Sequence, residues 1–113
     1  NVLASKDNIQ TLIFFLFDTG VSGRAAQKIG IKLKEVSKNR QVLCVTHLAQ
    51  IACFADNHFL ISKSESENKT YTKVEKLDYN GRIQELARII GGIESTQLSL
   101  DTAAEMIENA KKY

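Results

Sequence analysis

Several residue types and motifs are rare or missing in this chain of 113 residues. It contains no proline, no tryptophan and only two cysteines, Cys44 and Cys53, which both lie in apolar stretches. Two such cysteines do not predict a disulfide framework, and we expect buried free thiols in a reducing compartment. No apolar run approaches the ~20 residues that cross a bilayer, and no signal-peptide pattern is present. These absences favour a cytoplasmic protein without a membrane partner.

Motifs that are diagnostic of a particular chemistry are missing as well. There is no CxxC or HxxxH spacing for a metal, no nucleophile elbow and no GxxxxGK[ST] phosphate loop. The chain therefore cannot bind the phosphates of a nucleoside triphosphate by itself. No metal site is predicted. The net charge of +2 is too small to indicate a nucleic-acid surface. An apolar content of 43% fits one globular domain or part of one. Because the chain begins with Asn1, we expect it to be a piece of a longer protein.

The most informative stretch is TLIFFLFDTGVSG, from Thr11 to Gly23. The unbroken apolar run Leu12–Phe17 predicts a strand that is covered on both faces, as in a parallel sheet. An acid and two glycines follow it. Such residues at the carboxyl end of a strand are typical of a ligand-binding edge. After Ser22, apolar residues at steps of three and four predict a helix that carries lysines on its solvated face.

The segment 41–46 (QVLCVT) predicts a second buried strand, so that strand, helix and strand form a parallel crossover unit. An interior helix is predicted over His47–Ala55. The pattern then changes to strands with more polar residues. Strands are predicted over His58–Lys63 and Thr70–Leu77, and together they predict a hairpin at the edge of the sheet. Helical periodicity returns around Ile83–Ile90, and a last helix, Leu100–Lys112, is predicted with Ser99 as its cap.

Two polar clusters share the predicted edge of the sheet, since parallel neighbouring strands end on the same side. The first comprises Asp18, Thr19 and Ser22, and the second comprises Thr46, His47 and Gln50. An apolar strand that ends in an acid has the general form of a Walker B strand, whose carboxylate helps to hold Mg²⁺ on a nucleotide. A histidine on the adjacent strand could hydrogen-bond a terminal phosphate. The simpler alternative is that Asp18 forms a turn and that His47 starts a helix.

At these residues the chain resembles a known family. TLIF followed by DTGVSG, then VLCVTHLAQIACFADNHFLISK and the later ELARIIGG, are similar to the C-terminal end of the bacterial DNA repair protein family RecN, in the structural-maintenance-of-chromosomes (SMC) type of ABC ATPases. The resemblance runs from about Lys6 to Ile107. It implies a P-loop NTPase fold. It also implies that 1–113 is the C-terminal lobe of a split ATPase head, without the Walker A loop, the coiled coil and the signature loop.

The resemblance also implies roles for individual residues and partners. His47 matches the switch histidine that senses the γ-phosphate, and Gln50 is a weaker candidate for nucleotide contact. The D-loop positions are Asp18, Thr19, Gly20, Ser22 and Gly23. The complete family head binds ATP and Mg²⁺, with none expected on this lobe alone. The implied partners are the N-terminal Walker A lobe of the same protein, a second head in a homodimer, and DNA through the full-length protein. The implied location is the bacterial cytoplasm, at the nucleoid.

One departure from the family pattern concerns catalysis. The family has Asp-Glu, an apolar residue and then Asp-Thr-Gly after TLIF, whereas this chain has Phe15, Leu16, Phe17 and Asp18. Phe15 and Leu16 thus replace the Mg²⁺-side acid and the catalytic base of Walker B. Losing one such base costs ~10²–10⁴-fold in rate, so we expect an inactive head. The alternative is that the two residues are an alteration and that the natural protein is active.

Two other functions compete with the ATPase lobe. One is a degenerate, non-catalytic lobe that acts as a protein-interaction or structural module. The other is an unrelated small α/β enzyme that uses Asp18 and His47, which would leave the longer sequence matches as coincidence. An isolated lobe should also expose apolar surface that a missing lobe covers, so we expect self-association or a partner over that surface.

Overall fold

A computed structural model describes residues 10–17, 22–92 and 94–113 of the chain. Its elements, in chain order, are β1 (Thr11–Leu16), α1 (Gly23–Val36), β2 (Gln41–Thr46), α2 (Ala49–Ala52), β3 (Phe59–Ser66), β4 (Lys69–Lys76), α3 (Tyr79–Gly91) and α4 (Gln97–Ala110). The protein is therefore of the mixed α/β class. In the described ranges, not one helix combines the length and the apolar content that a membrane span needs.

Strands β1 and β2 pair in parallel, with Thr11 opposite Gln41 and Leu16 opposite Thr46. Helix α1 connects them, so the predicted strand–helix–strand unit is confirmed. Ser22 is the N-cap of α1, as predicted, and its hydroxyl accepts a hydrogen bond of 3.2 Å from the backbone N–H of Ala25.

The prediction that these strands are covered on both faces is wrong for the described residues. Alternate side chains are half-buried, but those of the opposite face are exposed. The exposed apolar side chains are Ile13 (59%), Phe15 (67%), Phe17 (48%), Leu43 (48%) and Val45 (37%). We call this set the open sheet face. It is exposed because no element of the described part packs over it, although the composition of both strands is that of covered strands.

The hairpin is confirmed as an antiparallel pair of β3 and β4, but it does not lie at the edge of the first sheet. Among the described residues it forms a two-stranded sheet of its own. Its strands are longer than predicted and are joined by Glu67 and Asn68, both with positive φ, as in a type I′ turn. Nearly every side chain of the hairpin is exposed, including the apolar Phe59, Ile61 and Val74, which lie next to one another on one of its faces.

The core lies among the helices and not over the sheet. Leu86 and Ala87 of α3 pack with Ala103 and Ile107 of α4, and all four are at most 1% exposed. Ala49, Cys53 and Phe54, in and just after α2, complete this cluster. The predicted interior helix over His47–Ala55 is thus largely buried after its exposed first residue, but only its four residues Ala49–Ala52 are α-helical.

The start of α4 differs from the prediction by one helical turn. Thr96, not Ser99, is the N-cap. The Thr96 hydroxyl accepts a 3.1 Å hydrogen bond from the backbone N–H of Ser99, and the Ser99 hydroxyl accepts one of 2.8 Å from the N–H of Thr96. This reciprocal capping box satisfies two backbone donors and buries Ser99 inside the first turn.

Candidate functional site

The carboxyl ends of β1 and β2 lie side by side. Leu16 is opposite Thr46 in the register, and just beyond them the ring of Phe17 stacks on the imidazole of His47. The ring centroids are 5.7 Å apart and the ring planes are inclined by 21°. The prediction that both strand tips share one edge is therefore confirmed. The roles assigned to the residues at this edge stay predictions.

His47 is held at this edge by its neighbours in the chain. The hydroxyl of Thr46 accepts a 3.1 Å hydrogen bond from the backbone N–H of Leu48, which fixes the turn out of β2. Helix α2 then begins, and its Ala49 and Ile51 are buried. His47 itself is exposed, so its imidazole can reach a ligand at the edge while the backbone on both sides is anchored.

The start of α1 lies beside the second candidate contact, Gln50. A Cβ added to Gly23 would lie 3.5 Å from the side-chain nitrogen of Gln50, an ordinary van der Waals distance. The structure therefore brings Gly23 and Gln50 together and places Ser22 at the cap of the same helix. The remaining D-loop positions, Asp18, Thr19 and Gly20, lie outside the described residues.

The two positions where the family pattern has acids carry no polar group here. Phe15 is 67% exposed on the open sheet face, and Leu16 is half-buried on the opposite side of β1. Within the described ranges, no group of three or more His, Cys, Asp or Glu side chains could hold a metal ion. The described part of this edge therefore offers an imidazole, an amide and a hydroxyl, but no carboxylate and no cluster of metal ligands.

Both cysteines have free thiols, as predicted. Burial raises the pKa of the Cys53 thiol to about 11, and it also raises the pKa of Cys44, which is only partly buried. A raised pKa keeps a thiol protonated at neutral pH, and the protonated thiol is a poor nucleophile. Neither cysteine is a candidate for covalent catalysis.

A small cavity of about 190 Å³ lies away from the strand tips, between α1, α3 and α4. Both of its lysines already have acidic partners, and its arginine is partly satisfied. Lys34 pairs with Asp56, Lys111 pairs with Glu108 outside the cavity, and Arg82 donates to two backbone carbonyls after α2. Among the described residues that line this cavity, the buried Nε of Arg82 is a cationic donor without a hydrogen-bond partner, whereas both lysines are already paired.

Sequence reasoning missed the part played by Phe17. The sequence analysis placed it in an apolar run, and the structure places its ring against His47. The signal was present, because Phe17 and His47 each follow the end of one of two parallel strands. Predicting the contact required the exact register of the two strands, which the sequence pattern does not give.

The geometry defines an α/β segment in which a parallel strand pair presents a histidine at its carboxyl edge. Comparison with known proteins shows which proteins the sequence is similar to. The chain is 40% identical over 110 residues to the DNA repair protein RecN of Bacillus subtilis (strain 168), and it is 45% identical over 108 residues to RecN of Haemophilus influenzae. To RecN of Streptomyces coelicolor it is 36% identical over 110 residues. No family model matches the sequence.

These matches cover 95–97% of this chain but 19% of each relative. The chain thus spans about a fifth of the length of the curated relatives that it matches. Over nearly its whole length the chain is therefore similar to one segment of the RecN proteins, and the resemblance seen in the sequence is confirmed.

Proposed function

We propose that this chain is the C-terminal lobe of the split ATPase head of a RecN-like protein for repair and recombination at DNA double-strand breaks. The observation that carries the proposal is the shared edge of β1 and β2, where His47 stands beside the tip of the apolar strand. In open α/β sheets, ligands bind beyond the carboxyl ends of the strands. The similarity to RecN over nearly the whole chain supports the same assignment.

In this proposal His47 faces the terminal phosphate of ATP, and Gln50 is a second polar contact. The segment with Asp18, Thr19, Gly20, Ser22 and Gly23 lies across the interface with a second head. The N-terminal Walker A lobe of the same protein supplies the phosphate loop, and the complete protein works on DNA in the bacterial cytoplasm, at the nucleoid. An exposed imidazole on an anchored backbone suits a phosphate.

The residues of this edge that the structure describes fit a phosphate group but do not fit Mg²⁺. Mg²⁺ is bound through carboxylates, water and phosphate oxygens. Phe15 and Leu16 place a phenyl ring and an isobutyl group at the positions where the family pattern has acids. A phenyl ring cannot bind metal-coordinated water, and an isobutyl group cannot take a proton from the attacking water. We therefore propose that the completed head does not turn over ATP.

Steady-state ATP hydrolysis by the lobe mixed with its Walker A half tests this proposal. We expect background turnover from the chain as it stands and recovered turnover in the double variant Phe15→Asp/Leu16→Glu. Because the two acids act together, each single variant should stay at least ~10²-fold below the double variant. Adding His47→Ala to the double variant is the matched control and should remove the recovered activity. Turnover by the unchanged chain at the rate of an intact relative would refute the proposed inactivity.

A second candidate function is a non-catalytic interaction module. The open sheet face favours it, because five large apolar side chains, Phe15 among them, are 37–67% exposed on one surface. Titration of ATP and Mg²⁺ into the mixed lobes separates the two candidates. Nucleotide-dependent dimerisation supports the ATPase head. Binding between the two lobes that is independent of nucleotide supports the interaction module.

A further inference from the structure

Helix α1 and the loop that follows it concentrate the positive charge of this chain. Residues 24–40 contain six cationic side chains and one acidic side chain, Glu35, for a net charge of +5. The whole chain is only +2, which leaves −3 for all other residues. The small net charge, on which the sequence analysis relied, therefore hides a strongly basic segment.

Four of the six cations lie on α1, and the structure separates these four into two groups. Lys34 is turned inward, with a side chain that is 22% exposed and paired with Asp56. Arg24, Lys28 and Lys32 are exposed and recur every four residues, so they share the face of α1 opposite to the buried Ala26. We call these three side chains the basic stripe.

The basic stripe is available to an anion. Its acidic neighbour Glu35 approaches Lys32 at 3.8 Å, and both side chains are largely exposed, at 76% for Lys32 and 61% for Glu35. Such a surface ion pair is worth at most ~1 kcal/mol, so a phosphate can replace the carboxylate at small cost. The stripe extends over about 12 Å, since an α-helix rises about 1.5 Å per residue. About three phosphates of one DNA strand occupy that length along the duplex axis.

The composition of this face selects the kind of partner. Protein interfaces depend on buried aromatic and apolar anchors, whereas DNA interfaces are polar and strongly positive. Among the described residues, none of the large apolar side chains that are exposed lies on α1. We propose that the basic stripe of Arg24, Lys28 and Lys32 binds the phosphate backbone of double-stranded DNA without sequence preference.

This inference places a DNA contact within the present chain, at a helix face whose lysines the sequence analysis assigned to solvent. It does not depend on nucleotide at the strand tips. The test is therefore run without ATP or Mg²⁺, and its failure would leave the proposed ATPase lobe untouched.

The test is fluorescence anisotropy of a labelled 30-base-pair duplex titrated with the 113-residue chain at several salt concentrations. Three phosphate contacts predict a salt slope of about −2.7 in log K against log salt, or roughly a 40-fold loss of affinity from 50 to 200 mM. The variant Arg24→Gln/Lys28→Gln/Lys32→Gln should lose most of this slope and bind at least ~10-fold more weakly at 50 mM. Glutamine has a helix propensity close to that of lysine and arginine, so circular dichroism should be unchanged.

The hairpin supplies a control with the same change of charge. Lys63→Gln/Lys69→Gln/Lys73→Gln also takes the formal charge from +2 to −1, but on a different and exposed surface. It should keep its affinity within about twofold and its slope within 0.5 of the unchanged chain. Equal losses in both triple variants would overturn the proposal, as would the absence of salt-dependent binding. Displacement of DNA by polyglutamate at the same concentration of charge would also overturn it, in favour of an acidic protein partner.

Discussion

Replacement of Gly30 by alanine should destabilise the protein, although alanine is the better helix former. Gly30 lies in the buried face of α1, where the helix crosses Phe54. A Cβ added there would meet two atoms of the Phe54 ring at 2.4 and 2.7 Å, and the backbone oxygen of Gln50 at 3.1 Å. Carbon atoms at such distances repel strongly, so the ring or the helix must move.

Two effects of opposite sign decide the outcome. Alanine in place of glycine inside a helix contributes about 1 kcal/mol of stability. Overpacking of a core typically costs about 1–3 kcal/mol. The cost for Gly30→Ala should be near the upper end, because Phe54 is only 7% exposed and its ring also packs against that of Tyr113. We therefore expect a net loss of about 2 kcal/mol.

Urea unfolding followed by circular dichroism measures this loss, and a thermal melt should show it as a decrease of roughly 8 °C. Gly23→Ala in the same helix is the control, since its Cβ would meet nothing closer than 3.5 Å. It should leave stability unchanged or raise it slightly. The double variant Gly30→Ala/Phe54→Leu replaces the aromatic ring by a smaller side chain. It should recover part of the stability that Gly30→Ala loses. If Gly30→Ala proved as stable as the unchanged chain, the close contact between α1 and Phe54 would be refuted.

Two further predictions concern pH and association. Burial lowers the pKa of His58, with Arg82 adding to this effect and Glu85 opposing it, so protonation favours the unfolded chain. The contribution of His58 to stability should be constant above pH 6.5 and fall as the pH decreases below it, by at most about 1.4 kcal/mol per pH unit, and urea unfolding of His58→Gln should lack that fall. In static light scattering, Phe15→Ser should reduce self-association of the chain, whereas Leu98→Ser, at a side chain that is 77% exposed on α4, should not. Equal scattering from both variants would contradict an origin at the open sheet face.

Features that depend on nearby residues were predictable from the sequence. Ser22 caps α1 because a hydroxyl just before an amphipathic stretch can accept a hydrogen bond from the first turn. The spacing of Ile83, Leu86 and Ala87 predicted α3, and the last two are fully buried. The cap of α4 was misplaced because Thr96 and Ser99 both suit an N-cap. Choosing between them required the reciprocal hydrogen bonds that only the folded turn displays.

Features that depend on distant packing were not predictable in the same way. A run of apolar residues such as Leu12–Phe17 indicates that a strand can be covered, but not which part of a protein covers it. The hairpin was assigned to the first sheet because neighbouring strands often pair. In the structure β3 pairs only with β4 among the described residues.

The open sheet face links the fold to the candidate functions. Its five apolar side chains are each about half exposed, so burying the remainder should contribute roughly 1 kcal/mol apiece, or about 5 kcal/mol together. That total is comparable with the whole free energy of unfolding of a small domain. Phe15 lies on this face, together with the Phe17 ring that stacks on His47. Any element that covers the face must therefore approach the candidate phosphate edge, and Phe15→Asp would change the association of the lobe and the chemistry of the edge at the same time. Measurements of lobe binding and ATP turnover on the same variants are needed to separate these two consequences.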